Sequence, residues 1–306
     1  MKVSIFFGGT NDVAGQVQAV VDAEADGFDG IWFGQIFGPD AMTVLAMAGQ
    51  KTSRIEMGTS VVPTYPRHPV VMAQQALSVQ AATNGRFNLG IGLSHAPVVQ
   101  GMWGIPYERP AVHMREYLSV LLPLIRQGSA SFSGEFFKVS QALQRPAGLE
   151  PLPVLIAALA PVMLRMAGEM TDGTITWMAG RKALETHIVP RITKAAAGAG
   201  RPAPRIVVGL PVAVADDAGT ARERAARSFQ IYGTLPNYQR VLNIEGAAGP
   251  AEVAVVGTEA DVEQQLRALA AAGATDYLAG MFPVGDDPAA SLARTRACLQ
   301  GLVGKI

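Results

Sequence analysis

One stretch limits what this chain can fold into more than any other. From Arg54 to His95 it reads RIEMGTSVVPTYPRHPVVMAQQALSVQAATNGRFNLGIGLSH. Residues 54–62 alternate like a short strand, and Pro63 and Pro66 then stop the ladder, because proline has no N–H to donate. From residue 68 to 83 the period becomes helical, with Val70, Ala73, Leu77 and Ala81 on one face. Asn84-Gly85 is a turn, and residues 87–93 form a second apolar strand carrying Gly90 and Gly92. Strand, helix, strand with this spacing is a βαβ unit, whose strands run parallel with a right-handed crossover.

The same rhythm extends in both directions. Residues 2–7 read as the first strand, with a helix cap at Asn11 or Asp12, and residues 31–33 as a short second strand. Beyond residue 150, strands are expected at 154–158, 174–178, 205–215 and 277–283, separated by helical stretches at 161–170, 182–197, 217–232 and 258–269. Residues 129–140 read as a small hairpin outside the rhythm, and 233–256 as irregular with short helices. Eight strands alternating with helices in 306 residues predict a single (β/α)8 TIM barrel with insertions, one domain over residues 1–306. A doubly wound sheet is the weaker alternative. No G-x-G-x-x-G follows the first strand, and Gly90-Ile91-Gly92 lacks the third glycine.

Composition removes several classes of function. Lysine plus arginine equals aspartate plus glutamate at 25 each, so no nucleic-acid footprint and no electrostatic membrane attachment are expected. No apolar run reaches the length of a membrane span, and the first strand begins at Lys2, so no leader is expected. Cys298 is the sole cysteine, which fits a reducing cytoplasm and a buried filler role. No two His or Cys fall at ligand spacing, so no metal is expected.

The wording of the central unit resembles the luciferase-like superfamily of bacterial luciferases and coenzyme F420-dependent oxidoreductases. That family carries G-T-x-V, R-H-P-x-x-x-A-Q-Q and G-R-F-x-L-G-I-G in order. The counterparts are Gly58-Thr59-Ser60-Val61, Arg67-His68-Pro69 with Ala73-Gln74-Gln75, and Gly85-Arg86-Phe87 with Leu89-Gly90-Ile91-Gly92. SHAPVVQGMWGIPYERP and AALAPVMLRMAGEMTDGTITW look most like the F420-dependent branch. The resemblance implies a TIM barrel holding coenzyme F420 and reducing an activated C=C or C=N bond of a small apolar substrate. It leaves two alternatives, an FMN-dependent monooxygenase and a ligand-binding barrel without turnover, and it allows a homodimer.

Barrel enzymes work at the carboxyl ends of their strands, and that geometry selects the candidates. After the first strand come Gly8 and Gly9. Thr59, Ser60 and Val61 end the third; the resemblance implies a non-prolyl cis peptide at Ser60-Val61 or its neighbour, pressing on the coenzyme's central ring. Gly90 and Gly92 strip side chains from one face of the fourth strand, which either admits a flat ring or relieves a crowded interior. Ser94 and His95 follow it, and His95 reads as a proton donor at the mouth or as an ordinary loop residue.

Ala158, Ala160, Pro161 and Val162 form a strand-to-helix turn of the kind that seats phosphate, although relatives have glycine where Ala160 stands. Trp103, Trp177 and Met178 are candidates for an apolar substrate wall, with core packing as the alternative for Trp103. His68 begins a helix and suits a cap or a phosphate neighbour, whereas His113 and His187 lie within helices and read as structural. Several dehydrogenases of the family end strand two in Asp-His. Gln35-Ile36 stands here instead, and Gln35 can hydrogen-bond but not take a proton, which favours reduction over alcohol oxidation.

Overall fold

The computed structural model describes residues 1–8, 12–35 and 37–306. Gly9, Asn11 and Ile36, named above as candidates, lie outside the described residues. The strands are β1 (Lys2–Phe7), β2 (Gly30–Phe33), β3 (Glu56–Thr59), β4 (Val62–Pro63), β5 (Phe87–Gly92), β6 (Ser129–Ser133), β7 (Lys138–Ala142), β8 (Val154–Ala157), β9 (Gly173–Trp177), β10 (Arg205–Val214), β11 (Val255–Gly257) and β12 (Asp276–Met281). The helices are α1 (Val13–Ala25), α2 (Ala41–Gly49), α3 (Pro69–Ala82), α4 (Pro110–Gln127), α5 (Pro161–Met170), α6 (Arg181–Ala183), α7 (Val189–Gly198), α8 (Ala218–Ser228), α9 (Pro236–Glu245), α10 (Glu259–Ala271) and α11 (Pro288–Leu302).

Contacts gather these elements into two units. The first comprises Met1–Gly8, Ala23–Trp32 and Ala158–Ile306. Its centre is β12, which pairs in parallel with β1 on one side and β10 on the other. Both β9 and β11 also pair in parallel with the ten-residue β10, at successive levels. Residues of β10 are buried almost without interruption, as expected for a strand covered on both faces. At the amino end of this sheet the Arg205 guanidinium pairs with Asp276, which is 1% exposed, and lies over the Trp32 ring at 5.4 Å. A carboxylate so deeply buried demands such a partner.

The second unit comprises Gly9–Asp22 and Phe33–Ala157. Here β3, β5 and β8 run parallel in that order, and β4 continues the β3 edge of β5. All six residues of β5 are buried. Helix α3 takes Pro69 in its first turn, where its missing N–H costs nothing, and His68 Nδ1 accepts from the Val70 amide at 3.3 Å. Pro123 sits inside α4 without ending it. Antiparallel β6 and β7 form the expected hairpin. It is fastened to α4 by Glu116, whose carboxylate accepts from the amides of Glu135, Phe136 and Phe137.

Candidate functional site

In the second unit the residues expected at the ends of strands three and four lie side by side. Thr59 closes β3, fully buried, and its hydroxyl donates to the Gly90 carbonyl at 2.8 Å and accepts from the Gly90 amide at 2.9 Å. A side chain thus replaces a ladder pair, freeing the backbone to bulge. The Ser60 amide donates to the Phe33 carbonyl, the Ser60–Val61 peptide is cis, and pairing resumes at Val62 opposite Ile91. The Thr64 amide then donates to the Gly92 carbonyl at 2.9 Å. Val61 lies directly against Gly92: a β-carbon on Gly92 would stand 2.6 Å from the Val61 Cγ2 methyl and 3.4 Å from Ala157 Cβ. Gly92 is therefore required where it is, and the surface formed there is backbone and one half-buried valine.

Beyond β5, Ser94 adopts the left-handed conformation at φ 59°, and its carbonyl accepts from the Tyr107 hydroxyl. The half-buried His95 opens a π-helical turn over Pro97–Met102, its carbonyl accepting from the amides of Val98 and Val99. Burial lowers the His95 pKa, so the ring is neutral at neutral pH. Trp103, half-buried, ends this turn with its amide on the Val98 carbonyl.

Gln35 has structural work: its Oε1 accepts from the Ala41 amide at 2.7 Å, satisfying the first turn of α2. The same turn explains the R-H-P and A-Q-Q wording. Arg67 pairs with Asp40, the cap of α2, and Gln75 Nε2 donates to the same carboxylate at 3.0 Å.

Sequence reasoning missed an aromatic cluster in this unit. The Tyr65 and His113 rings stack at 4.1 Å with 8° between their planes, and Tyr107, Tyr117 and Phe137 pack around them. Desolvation pushes His113 down to about 4 and Tyr65 up to about 12, so both stay neutral across the ordinary pH range. The signal available was the gathering of Tyr107, His113, Tyr117, Phe136 and Phe137 within thirty-one residues of a chain only 7% aromatic.

In the first unit, Gly8 is exposed at the end of β1. Residues 158–160 form the expected turn. Ala158 is buried, Ala160 is the extended N-cap of α5 at ψ 149°, and Pro161 occupies the first turn. No side chain caps α5, and Val162 is 47% exposed. His187, 5% exposed on a π-helical turn (Leu184–Ile188), reaches back to this turn with Nε2 2.8 Å from the Leu159 carbonyl. A carbonyl only accepts, so Nε2 carries the proton.

Trp177 ends β9 half-buried, with rings from Phe6, Phe229 and Tyr232 around it. Met178 is different from the expectation. It is 0% exposed, with φ 61°, and its amide donates to the Gly209 carbonyl. That left-handed turn drives its side chain into the core, so it offers no surface to a ligand.

These features belong to a barrel of parallel strands surrounded by helices. The chain belongs to the luciferase-like monooxygenase family, whose model matches residues 1–303. An uncharacterised protein of Mycobacterium tuberculosis (strain ATCC 25618 / H37Rv) is 32% identical over 253 residues, covering 77% of this chain and 73% of that one. An F420-dependent glucose-6-phosphate dehydrogenase of Intrasporangium calvum is 34% identical over 194 residues, 58% of each chain. The coenzyme F420-dependent tetrahydromethanopterin reductase of Methanopyrus kandleri superposes with a TM-score of 0.81 at 20% identity, covering 100% of this chain and 98% of that one. The fold is thus the TIM barrel expected from the strand count, and the family is one of oxidoreductases.

Proposed function

We propose that this protein is a coenzyme F420-dependent oxidoreductase that reduces an activated C=C or C=N bond of a small apolar substrate. The observation that carries the reading is the surface built by Thr59, Ser60, Val61 and Gly92. Gly92 has no room for a side chain and Val61 is held against it, so a flat ring would meet backbone and a single methyl pair there. The turn at Ala158, Ala160, Pro161 and Val162 suits an anionic group, because the first amides of α5 have no side-chain cap. Taken separately, the β3–β5 surface fits a flat tricyclic ring and the start of α5 fits an anionic group, and the F420-dependent relatives support the deazaflavin over FMN.

The bound coenzyme would supply the hydride. What the chain supplies is position. Val61 and Gly92 would hold the ring plane from one side, with Ser94 as a further contact, and Gly8 at the end of β1 is a separate candidate coenzyme contact. His95, neutral through burial, would orient the substrate by hydrogen bonding, and the proton for the atom left carrying charge would come from solvent. Gln35 has Oε1 committed to α2, so only its amide N–H would face a ligand. Trp103 and Trp177 would give apolar surface.

The family's name keeps an FMN-dependent monooxygenase as the second reading. One experiment separates them. The protein is titrated with F420 and with FMN, and each reduced form is then mixed with cyclic enones and imines, once anaerobically and once in air-saturated buffer. Preferential F420 binding with substrate-dependent reoxidation is the expected result. FMN binding with oxygen consumption would replace the proposal by the second reading, and binding without turnover of any substrate would leave only a ligand-binding barrel.

A further inference from the structure

Beside the turn that starts α5, two arginines of the first unit stand without carboxylates to meet them. His187 reaches the Leu159 carbonyl with its ring, and four residues on, Arg191 Nη1 donates to the carbonyls of His187 and Thr186 at 3.0 and 3.3 Å. Arg191 is thus one histidine's length from that turn. Arg240 comes to the same place from α9. The carboxylate of Glu245, at the end of that helix, accepts from the amides of Lys182 and Ala183 at 3.1 and 2.8 Å and so docks α9 on the start of α6. Burial lowers the His187 pKa, and the charges of Arg191 and Arg240 both lower it further.

The acids of these segments are already engaged. Glu185 pairs with Arg181, Glu169 with Arg165, and Glu245 with the two amides of α6. Among the described residues neither Arg191 nor Arg240 has an ion-pair partner, and the Arg240 side chain donates to no protein group. Both are exposed. Two guanidiniums around one neutral imidazole repel each other, and an anion between them turns that repulsion into attraction. In a chain whose acids and bases balance at 25 each, leaving these two together makes a local positive surface.

We infer that Arg191 and Arg240 form a second anion subsite beside the start of α5, one that takes the carboxylate chain which coenzyme F420 carries beyond its phosphate. The inference rests on the coenzyme reading above and extends it from ring and phosphate to the tail. Guanidinium forks receive carboxylates in paired hydrogen bonds, so the donor set fits this occupant. A chain of γ-linked glutamates is flexible and repeats its charge, and it needs no rigid cleft. Arginines exposed at the surface suit such a chain. FMN ends at its phosphate and presents nothing to them, so the subsite also distinguishes the deazaflavin from the flavin.

The test measures affinity by the coenzyme's own fluorescence, using F420 with no glutamate, with a short chain and with a long one, at low and at high salt. Wild type should bind the long-chain form about fivefold or more tighter than the glutamate-free form at low salt, and within about twofold at high salt. Arg240→Gln and Arg191→Gln should each remove at least about half of that advantage, with the glutamate-free form bound within about twofold of wild type. Arg267→Gln makes the same change in net charge on α10, where the arginine pairs with Glu263, and should leave the advantage intact. Equal affinity for all chain lengths overturns the inference. So does an advantage that survives both arginine changes, or one that falls as far in Arg267→Gln. Failure of every form to bind would instead sink the coenzyme reading. Arg191 also holds two carbonyls, so if Arg191→Gln does not fold, Arg240→Gln decides alone.

Discussion

His187 donates from Nε2 to the carbonyl of Leu159, and that bond ties the π-helical turn at 184–188 to the turn that starts α5. Replacing the buried imidazole by leucine strands the carbonyl, at a cost of about 1–2 kcal/mol. His187→Leu should therefore shift the urea midpoint down, and His187→Gln should recover part of it. If the turn seats the coenzyme phosphate, His187→Leu should also weaken F420 binding more than binding of the phosphate-free deazaflavin. Equal weakening of both would show a purely structural bond.

Gly92→Ala sets a β-carbon 2.6 Å from the Val61 methyl. Overpacking of this kind costs about 1–3 kcal/mol. The expected result is a less stable protein with weakened ring binding. Adding Val61→Ala should restore much of the stability but not the binding, since the valine is what the ring would rest on. Additive effects of the two changes in a double-mutant cycle would refute the contact.

His113 gives a pH signature. Its pKa is about 4 in the folded protein, against an ordinary value of 6.5, because burial disfavours the imidazolium. The unfolded chain takes up a proton below pH 6.5 that the folded one refuses until about pH 4. The contribution is thus intact above 6.5 and is lost as pH falls through that window, by at most about 3 kcal/mol. His113→Phe keeps a ring against Tyr65 without the titrating group. Urea melts between neutral and acid pH should show a smaller acid loss in the variant than in wild type; parallel curves would contradict this.

Glu116 predicts a local effect. Its carboxylate receives the amides of Glu135, Phe136 and Phe137 at 2.7–3.2 Å, and those bonds hold the carboxyl below the usual carboxylate range. Glu116→Ala should free the tip of the β6–β7 hairpin. Hydrogen exchange at those three amides should quicken by about 30-fold, the equivalent of about 2 kcal/mol, while β5 amides stay protected. Unchanged exchange at the tip would show that packing of Phe137 on His113, not the carboxylate, pins the hairpin.

Much of this architecture could be read from the chain, and the reasons differ by element. The strand at Lys2–Phe7 and the helix opened by Thr258 and Asp261 are local features, set by alternation and by a capping box that the structure shows in full. The cis peptide falls at Ser60–Val61, where the family wording placed it. What escaped depends on tertiary context. Residues 182–197 read as a helix interrupted at Pro190, yet the backbone widens into a π turn at Leu184–Ile188, which periodicity cannot distinguish. The three-residue β11 is too short to alternate, and region 233–256 hid it. Met178 reads as pocket wall from its place beside Trp177 at a strand end; its positive φ turns the side chain into the core, and no residue type announces that. Tyr65 and His113 are forty-eight positions apart, and only the fold stacks them.

The indole lying over Gly209 and Gly280 restricts how this enzyme could be re-engineered or could drift. A β-carbon on Gly209 would stand 2.7 Å from Trp177 Cε3 and one on Gly280 2.6 Å from Trp177 Cη2, so neither position can gain a methyl group while residue 177 remains tryptophan. Trimming residue 177 would release Gly280, whereas a β-carbon on Gly209 would still meet the Thr176 carbonyl at 2.9 Å, so only one of the two positions opens by that route.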